Sequence, residues 1–365
     1  MRLFRREQRL NLALQGGGVH GAFTWGVLDR LLNEEWLKVG WISGTSAGAV
    51  NAVAVAHGLA KGDARLGLAA LADIWSSVER SGVPDLMRLN PFLMGLAKAA
   101  PVGNVAAFLS PYDFNPAGFD PLRKILEQSI DFEAIRNDSS IGLLIAATDV
   151  ETGRARLFQR SELTVETVLA SACLPTLHHA VQIDGRYYWD GGFSANPDLL
   201  TLVDESDVRD TLLVQLNPIR HIGLPKGTKS IDDRVNTITF NQPLLHQVET
   251  IVMAQKSESG WFGSRNDRVG RLRSHRFHLI AAGAHTAQLD SDSKMIPEKQ
   301  LLSYLRQSGS EEADYWLMQH KTSIGRRSTV DFREGYFELE SVRKDEDVSP
   351  STDTTDVAAP RAAVR

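Results

Sequence analysis

The first 220 residues of this 365-residue chain alternate short apolar runs with stretches of helical character. This alternation constrains the fold most, because strands that alternate with helices form a mostly parallel sheet with helices on both faces. Strands are predicted over residues 10–14, 39–43, 141–148, 154–158 and 211–216. Helices are predicted over residues 20–35, whose apolar side chains share one face, and 49–59. The sequence therefore predicts an α/β fold.

Other elements depart from this alternation. Residues 181–183 and 186–189 flank Asp184 and Gly185, and an Asp-Gly pair suits the two-residue turn of a β-hairpin. Three further helices are predicted in the C-terminal part, over residues 242–256, 298–307 and 311–321.

The predicted organisation is one large domain between two terminal segments. Residues 1–9 form a charged N-terminal extension, and residues 10–330 form the domain. Within it, residues 84–119 are an apolar, proline-rich insertion over the sheet, and residues 231–330 are a helical C-terminal part. Residues 344–365 have no aromatic side chain and are expected to be a disordered tail.

Composition excludes several classes of protein. A net charge of −5 argues against a nucleic acid as partner. The single cysteine, Cys173, excludes an intrachain disulfide and a thiolate metal cluster. No apolar run reaches the roughly 18 residues of a membrane-spanning helix, and the run 10–14 is too short for a signal peptide. A cytoplasmic location is expected, with peripheral membrane contact and secretion without a cleaved signal left open.

A glycine-rich turn follows the first strand. Gly16, Gly18 and Gly21 spell G-x-G-x-x-G, the dinucleotide-binding pattern, but that pattern also needs an acidic residue at the end of the second strand. Here the second strand ends at Ser43 and Gly44, so the acidic residue that would bind the ribose is missing. Consecutive N–H groups at a helix N-terminus bind an anion, which is either a phosphate or an oxyanion formed during a reaction.

A second turn carries a serine. Residues 44–48 read Gly-Thr-Ser-Ala-Gly between a predicted strand and a predicted helix, which is the context of a nucleophile elbow. Glycine at both ends fits because these two positions come too close to carry side chains. The pattern predicts that Ser46 projects its hydroxyl at the carboxyl edge of the sheet.

A serine hydroxyl needs a base to become a nucleophile. Among the ten histidines, His285 is a candidate because it lies in a turn-like sequence. Asp190 is better placed, since it ends the 186–189 strand and precedes Gly191 and Gly192. Glycines on both following positions let that carboxylate point toward the cleft of Ser46.

Three segments in this order resemble the patatin-like phospholipase family: residues 16–21 (Gly-Gly-Gly-Val-His-Gly), 44–48 and 190–192 (Asp-Gly-Gly). Residues 147–153 and 170–175 are also similar to bacterial members. The resemblance extends over residues 10–220, weakens through 232–330 and is absent from the tail. It implies a three-layer α/β/α sandwich with a mostly parallel central sheet. It also implies a lipid acyl hydrolase with a Ser–Asp dyad and without a catalytic histidine, cofactor or metal.

Carried over by position, the resemblance makes Ser46 the nucleophile and Asp190 the base. The glycine turn becomes the oxyanion hole, formed by Gly16, Gly17 and Gly18. The supporting motif positions are Gly21, Gly44, Gly48, Gly191 and Gly192. The implied substrate is a lipid ester or phospholipid, cleaved by a phospholipase A or lysophospholipase type of reaction.

One departure from the family stands beside the glycine turn. The family usually has Arg or Lys where this chain has His20, and a neutral imidazole supports negative charge there less well than a cation. The alternatives to a lipase are a related serine thioesterase or acyltransferase. A non-catalytic module that binds phosphate or nucleotide on the glycine turn is a further alternative.

Overall fold

The computed structural model describes residues 7–81, 110–221, 223–256, 267–287, 289 and 291–336. They fall into two units, Met1–Val330 and Asp331–Arg365. The strands of the first unit are β1 (Gln8–Leu14), β2 (Leu37–Thr45), β3 (Gly142–Asp149), β4 (Ala155–Gln159), β5 (Val181–Ile183), β6 (Arg186–Asp190), β7 (Asp210–Gln215) and β8 (Arg276–Ala281). The described residues of this unit begin with the α-helices α1 (Gly21–Leu31), α2 (Ala47–Ala60), α3 (Ala64–Arg80), α4 (Pro111–Phe114), α5 (Pro121–Ser129) and α6 (Phe132–Asn137). They continue with α7 (Val165–Ser171), α8 (Leu200–Glu205), α9 (Thr228–Lys256), α10 (Arg268–Ser274), α11 (Gly283–Thr286) and α12 (Lys299–His320). The described part of the second unit contains α13 (Phe332–Tyr336).

The strands form one mixed sheet in the order β5-β6-β3-β2-β1-β7-β8, and β4 also pairs with β3. The pairs β1–β2, β1–β7, β2–β3 and β7–β8 are parallel, whereas β4, β5 and β6 pair in antiparallel fashion. Helices flank this sheet, so the predicted α/β sandwich with a mostly parallel sheet is confirmed. All five predicted strands are found with ends shifted by one or two residues, but β8 was not predicted.

The core lies on the central strands and on α2. The last five residues of β1 and all but the first residue of β3 are buried, as expected for strands covered on both faces. Helix α2 consists mainly of alanine, valine and glycine and is also buried along most of its length. These small side chains let α2 approach closely, and a Cβ atom at Gly48 would overlap the Leu14 carbonyl oxygen of β1. This close approach brings the start of α2 to the carboxyl end of β1.

Two C-terminal predictions were wrong about helix boundaries. The segments 298–307 and 311–321 form one helix, α12, because Gly309 inside it is a packing position and not a break. A Cβ atom at Gly309 would overlap the Phe23 carbonyl oxygen of α1, and one at Gly26 of α1 would overlap the Arg306 carbonyl oxygen. Helix α9 begins well before residue 242 and continues through Pro243.

The predicted hairpin is confirmed as β5 and β6. Its turn residues Asp184 and Gly185 have φ angles of 50° and 81°, and two positive φ angles define the turn that suits a two-residue hairpin. The tail 344–365 and residues 84–109 of the insertion lie outside the described residues. Within the described ranges, no helix has both the length and the apolar character that crossing a bilayer requires.

Candidate active site

Two strands meet end to end along β3 and bring the predicted serine and carboxylate together. β2 ends at Thr45, which pairs with Ala146 of β3, and β6 ends at Asp190, which pairs with the next residue, Ala147. β4 occupies the other edge of β3 at these positions, so β2 and β6 share one edge. Ser46 directly follows Thr45 and therefore lies beside Asp190.

The backbone of Ser46 is strained. Its φ of 55° and ψ of −123° are rare for a residue with a side chain, and such strain persists only where the surroundings hold it. A Cβ atom at Gly44 would lie 2.6 Å from the Gly48 carbonyl oxygen. Glycine at both positions is therefore a steric requirement of this turn, as the sequence predicted.

Ser171 holds the strained turn and was missed by the sequence analysis. The Ser46 N–H donates a hydrogen bond of 2.9 Å to the Ser171 Oγ. Ser171 is the last residue of α7 and is fully buried. Its only sequence signal was the similarity of residues 170–175 to bacterial family members, which gave it no role.

We expect Ser171→Ala to lower the free energy of unfolding by about 1–2 kcal/mol, because the Ser46 N–H loses its acceptor in a partly buried position. Denaturant unfolding measures this change. Ser140→Ala is the control, since Ser140 is exposed and its hydroxyl donates to its near neighbour Asp138. Equal stability of the two variants would mean that Ser171 does not hold the turn.

Asp190 is a buried carboxyl group, and only one of its two oxygens accepts a hydrogen bond from the described residues. Its Oδ1 accepts a hydrogen bond of 2.7 Å from the Gly192 N–H. Its Oδ2 is buried and accepts no hydrogen bond from the described residues. Burial raises the pKa of Asp190 to about 7, although the nearby Ser46 hydroxyl and the Gly192 N–H act in the opposite direction. A carboxyl with this pKa is half ionised near neutral pH and can accept a proton.

The glycine turn lies against the serine. A Cβ atom at Gly16 would lie 2.8 Å from the Ser46 Cβ, and the Gly16 N–H donates a 2.7 Å hydrogen bond to the Asn196 Oδ1. The N–H groups of Gly17 and Gly18 have no acceptor among the described residues. Of the three predicted donors, Gly16 is thus engaged by Asn196, and Gly17 and Gly18 keep their N–H groups available.

The remaining motif glycines mark close contacts around these groups. A Cβ atom at Gly21 would lie 2.7 Å from the Ala47 Cβ at the start of α2. A Cβ atom at Gly191 would overlap the Ala146 carbonyl oxygen, and one at Gly192 would overlap the Phe240 ring. These positions keep the glycine turn, the elbow and the Asp190 loop packed together.

The histidine candidate for the base is engaged elsewhere. His285 Nδ1 lies 3.1 Å from the Tyr304 hydroxyl, and its Nε2 lies 3.1 Å from Glu312 Oε1. Both partners belong to α12. Among the described residues, no histidine nitrogen forms a hydrogen bond with Ser46. Asp190 is therefore the titratable group that the fold places beside this serine.

His20 carries no charge at neutral pH. Burial, together with the nearby Lys294 ammonium, lowers the pKa of His20 to about 3. Its Nε2 lies 2.8 Å from the Ser293 Oγ, and its Nδ1 has no hydrogen-bond partner among the described residues. The residue that replaces the usual Arg or Lys of the motif thus adds no positive charge to the glycine turn.

Comparison with known proteins decides the family. The family model described as patatin-like phospholipase matches residues 12–203, more than half of the chain. The chain belongs to the patatin-like phospholipase family. Ser46 and Asp190 both lie within the matched region. The site combines a serine on a strained turn, a buried carboxyl and two N–H groups without an acceptor among the described residues.

Relatives of this member of the patatin-like phospholipase family include a curated protein of Escherichia coli (strain TW11681) named cGAMP-activated phospholipase. The two are 28% identical over 219 residues, which cover 53% of this chain and 54% of the relative. The chain thus spans about half the length of the curated relative that it matches.

Two solved structures are also similar. VipD from Legionella pneumophila has a TM-score of 0.44 at 14% identity, over 94% of this chain and 79% of VipD. ExoU of Pseudomonas aeruginosa, solved in complex with SpcU, has a TM-score of 0.31 at 14% identity, over 85% of this chain and 53% of the ExoU chain. The family assignment rests on the matched region and not on these two structures.

Proposed function

We propose that this chain is a serine acyl hydrolase that cleaves carboxylic esters of lipids, in a reaction of the phospholipase A or lysophospholipase type. The observation that carries this proposal is the meeting of β2 and β6 on one edge of β3, which puts Ser46 beside the buried carboxyl of Asp190. Membership of the patatin-like phospholipase family supports a lipid as the substrate.

In the acylation step, the Ser46 Oγ attacks the ester carbonyl carbon while its proton passes to the Asp190 Oδ2. The carbonyl oxygen becomes an oxyanion, which accepts hydrogen bonds from the N–H groups of Gly17 and Gly18 and from the N-terminus of α2 at Ala47. The C–O bond to the leaving alcohol then breaks. That alcohol takes the proton from Asp190, and the acyl group stays on Ser46.

In the second step, water attacks the acyl carbon and gives its proton to Asp190. The bond to the Ser46 Oγ breaks, the proton returns to this oxygen, and the free fatty acid leaves. Asp190 therefore acts as base and then as acid in each half of the reaction. A pKa of about 7 suits this exchange, because proton transfer is most efficient when the pKa lies near the working pH.

Contact with a membrane surface is part of the proposal, since the substrate is a lipid. The insertion 84–119 is the candidate for this contact. A second candidate for contact with anionic headgroups is a run of five arginines, Arg265, Arg268, Arg271, Arg273 and Arg276. It is less suited to this contact than the insertion. Arg268 pairs with Asp204 at 2.7 Å and Arg276 pairs with Asp210 at 2.6 Å, whereas Arg265 lies outside the described residues.

The test is labelling of the native chain with a fluorescent fluorophosphonate, followed by peptide mass spectrometry. We expect the adduct on Ser46, together with release of fatty acid from phosphatidylcholine vesicles. Labelling of another residue, or none on a folded chain, would contradict the proposal. Added alcohol in the vesicle assay separates hydrolysis from acyl transfer, because a transferase would form a new ester.

A further inference from the structure

A lysine distant in sequence lies against the glycine turn. A Cβ atom at Gly18 would overlap the Lys294 carbonyl oxygen and would lie 3.3 Å from the Lys294 Cβ. Gly18 has a φ of 57°, so both its conformation and its neighbour exclude a side chain. The backbone of Lys294 therefore packs directly on the turn whose Gly17 and Gly18 N–H groups have no acceptor in the described part of the chain.

The ammonium of Lys294 reaches the other side of the same turn. Its Nζ donates a 2.7 Å hydrogen bond to the Asn217 Oδ1, and the Asn217 Nδ2 lies 3.5 Å from the Gly16 carbonyl oxygen. The Asn217 N–H is held in turn by the Gln15 Oε1 at 2.9 Å. Lys294 and Asn217 thus bracket the turn from Gly16 to Gly18.

No carboxylate within 4.0 Å neutralises this ammonium among the described residues. Asp233 of α9 acts on it from a greater distance and favours the charged form, and neutral His20 faces it from the turn. Burial lowers the pKa of Lys294 to about 8, so the charge persists at neutral pH. A largely buried cation without a close counter-ion is costly, so an anion that forms nearby would offset part of that cost.

We propose that Lys294 is a positioning residue for the reaction: its ammonium fixes the glycine turn through Asn217 and supplies the positive charge that His20 does not bring. This assignment rests on the proposed function. The anion that the Lys294 ammonium stabilises is the oxyanion of the ester carbonyl, next to the N–H groups of Gly17 and Gly18.

The experiment compares the pH dependence of kcat/KM for native chain, Lys294→Met and Lys294→Arg on a soluble carboxylic ester. For the native chain, we expect kcat/KM to rise through about pH 7 as Asp190 ionises and to fall above about pH 8 as Lys294 loses its proton. In Lys294→Met, we expect a plateau about tenfold to a hundredfold lower and no alkaline decline. In Lys294→Arg, the alkaline decline disappears because guanidinium stays charged.

Lys61→Met is the matched control, because Lys61 pairs with Asp131 on the surface and its profile should stay native. If Lys294→Met keeps the native plateau and the native alkaline decline, the assignment of Lys294 is wrong. Fluorophosphonate labelling of Ser46 in the same chain would still support the proposed function. If Lys294→Met does not fold, as thermal unfolding would reveal, the Lys294→Arg profile decides, and a native alkaline decline there overturns the assignment. A native chain with neither labelling nor hydrolysis overturns both proposals.

Discussion

Ser46→Ala is expected to abolish ester hydrolysis and fluorophosphonate labelling. Loss of the nucleophile removes the covalent step, and kcat falls by a factor on the order of 10⁶, to below detection. The fold should persist, because the hydroxyl is not what holds the turn: the Ser46 N–H still donates to Ser171. Fatty-acid release and gel fluorescence measure activity, and circular dichroism checks the fold.

Two further variants sharpen this prediction. Ser43→Ala removes a buried hydroxyl that has no hydrogen-bond partner among the described residues. Ser43 lies on β2, three positions before Ser46, and the variant should keep full activity. Ser46→Gly should lose activity yet gain about 1 kcal/mol of stability, since glycine adopts a φ of 55° without strain. Residual labelling of Ser46→Ala would mean that another residue is the nucleophile.

Asp190→Asn is expected to lower kcat by about 10²–10⁴-fold. The amide keeps the shape of the side chain and can still accept the Gly192 N–H, but it cannot take the Ser46 proton. For the native chain, kcat/KM should rise with pH through about 7 as Asp190 ionises, and this rise should be absent from the residual activity of Asp190→Asn. Near-native turnover of Asp190→Asn would exclude the dyad, and His285 would be the next base to test.

The same substitution changes stability in a pH-dependent way. Burial raises the pKa of Asp190 from its ordinary 3.8 to about 7, so the folded chain binds a proton more tightly than the unfolded chain. The free energy of unfolding therefore falls as pH rises from about 4 to about 7. Each pKa unit corresponds to about 1.4 kcal/mol, so Asp190→Asn should be more stable than the native chain above pH 7, by up to about 4 kcal/mol.

Asp149→Asn is the matched control for both measurements. Asp149 lies on β3 opposite Tyr188 of β6, and its carboxylate bonds Thr152 and Arg186 instead of facing the serine. Its neighbours lower the pKa of Asp149. We expect Asp149→Asn to keep native turnover and to show no stability gain above pH 7.

Most of the predicted elements of the fold follow from short local patterns in the sequence. The Asp184-Gly185 hairpin, the five predicted strands and the glycine pair around Ser46 are all present, because each depends on neighbouring residues and on backbone sterics. Gly309 shows where local reasoning fails. It lies between the two predicted helices 298–307 and 311–321, but its lack of a side chain serves the contact of one continuous helix with α1, which lies far away in the sequence.

By itself, the sequence determined the strand–turn–helix units, the steric need for glycine around Ser46 and the family resemblance that named Asp190. The tertiary structure decided how these units meet. It decided that β2 and β6 end side by side on β3, that Asn196 takes the Gly16 N–H, that Ser171 holds the Ser46 turn and that Lys294 reaches the glycine turn. Gly16 and Asn196 are 180 positions apart, and Ser46 and Ser171 are 125 positions apart. Burial and hydrogen bonding across such distances depend on packing, which no local pattern encodes.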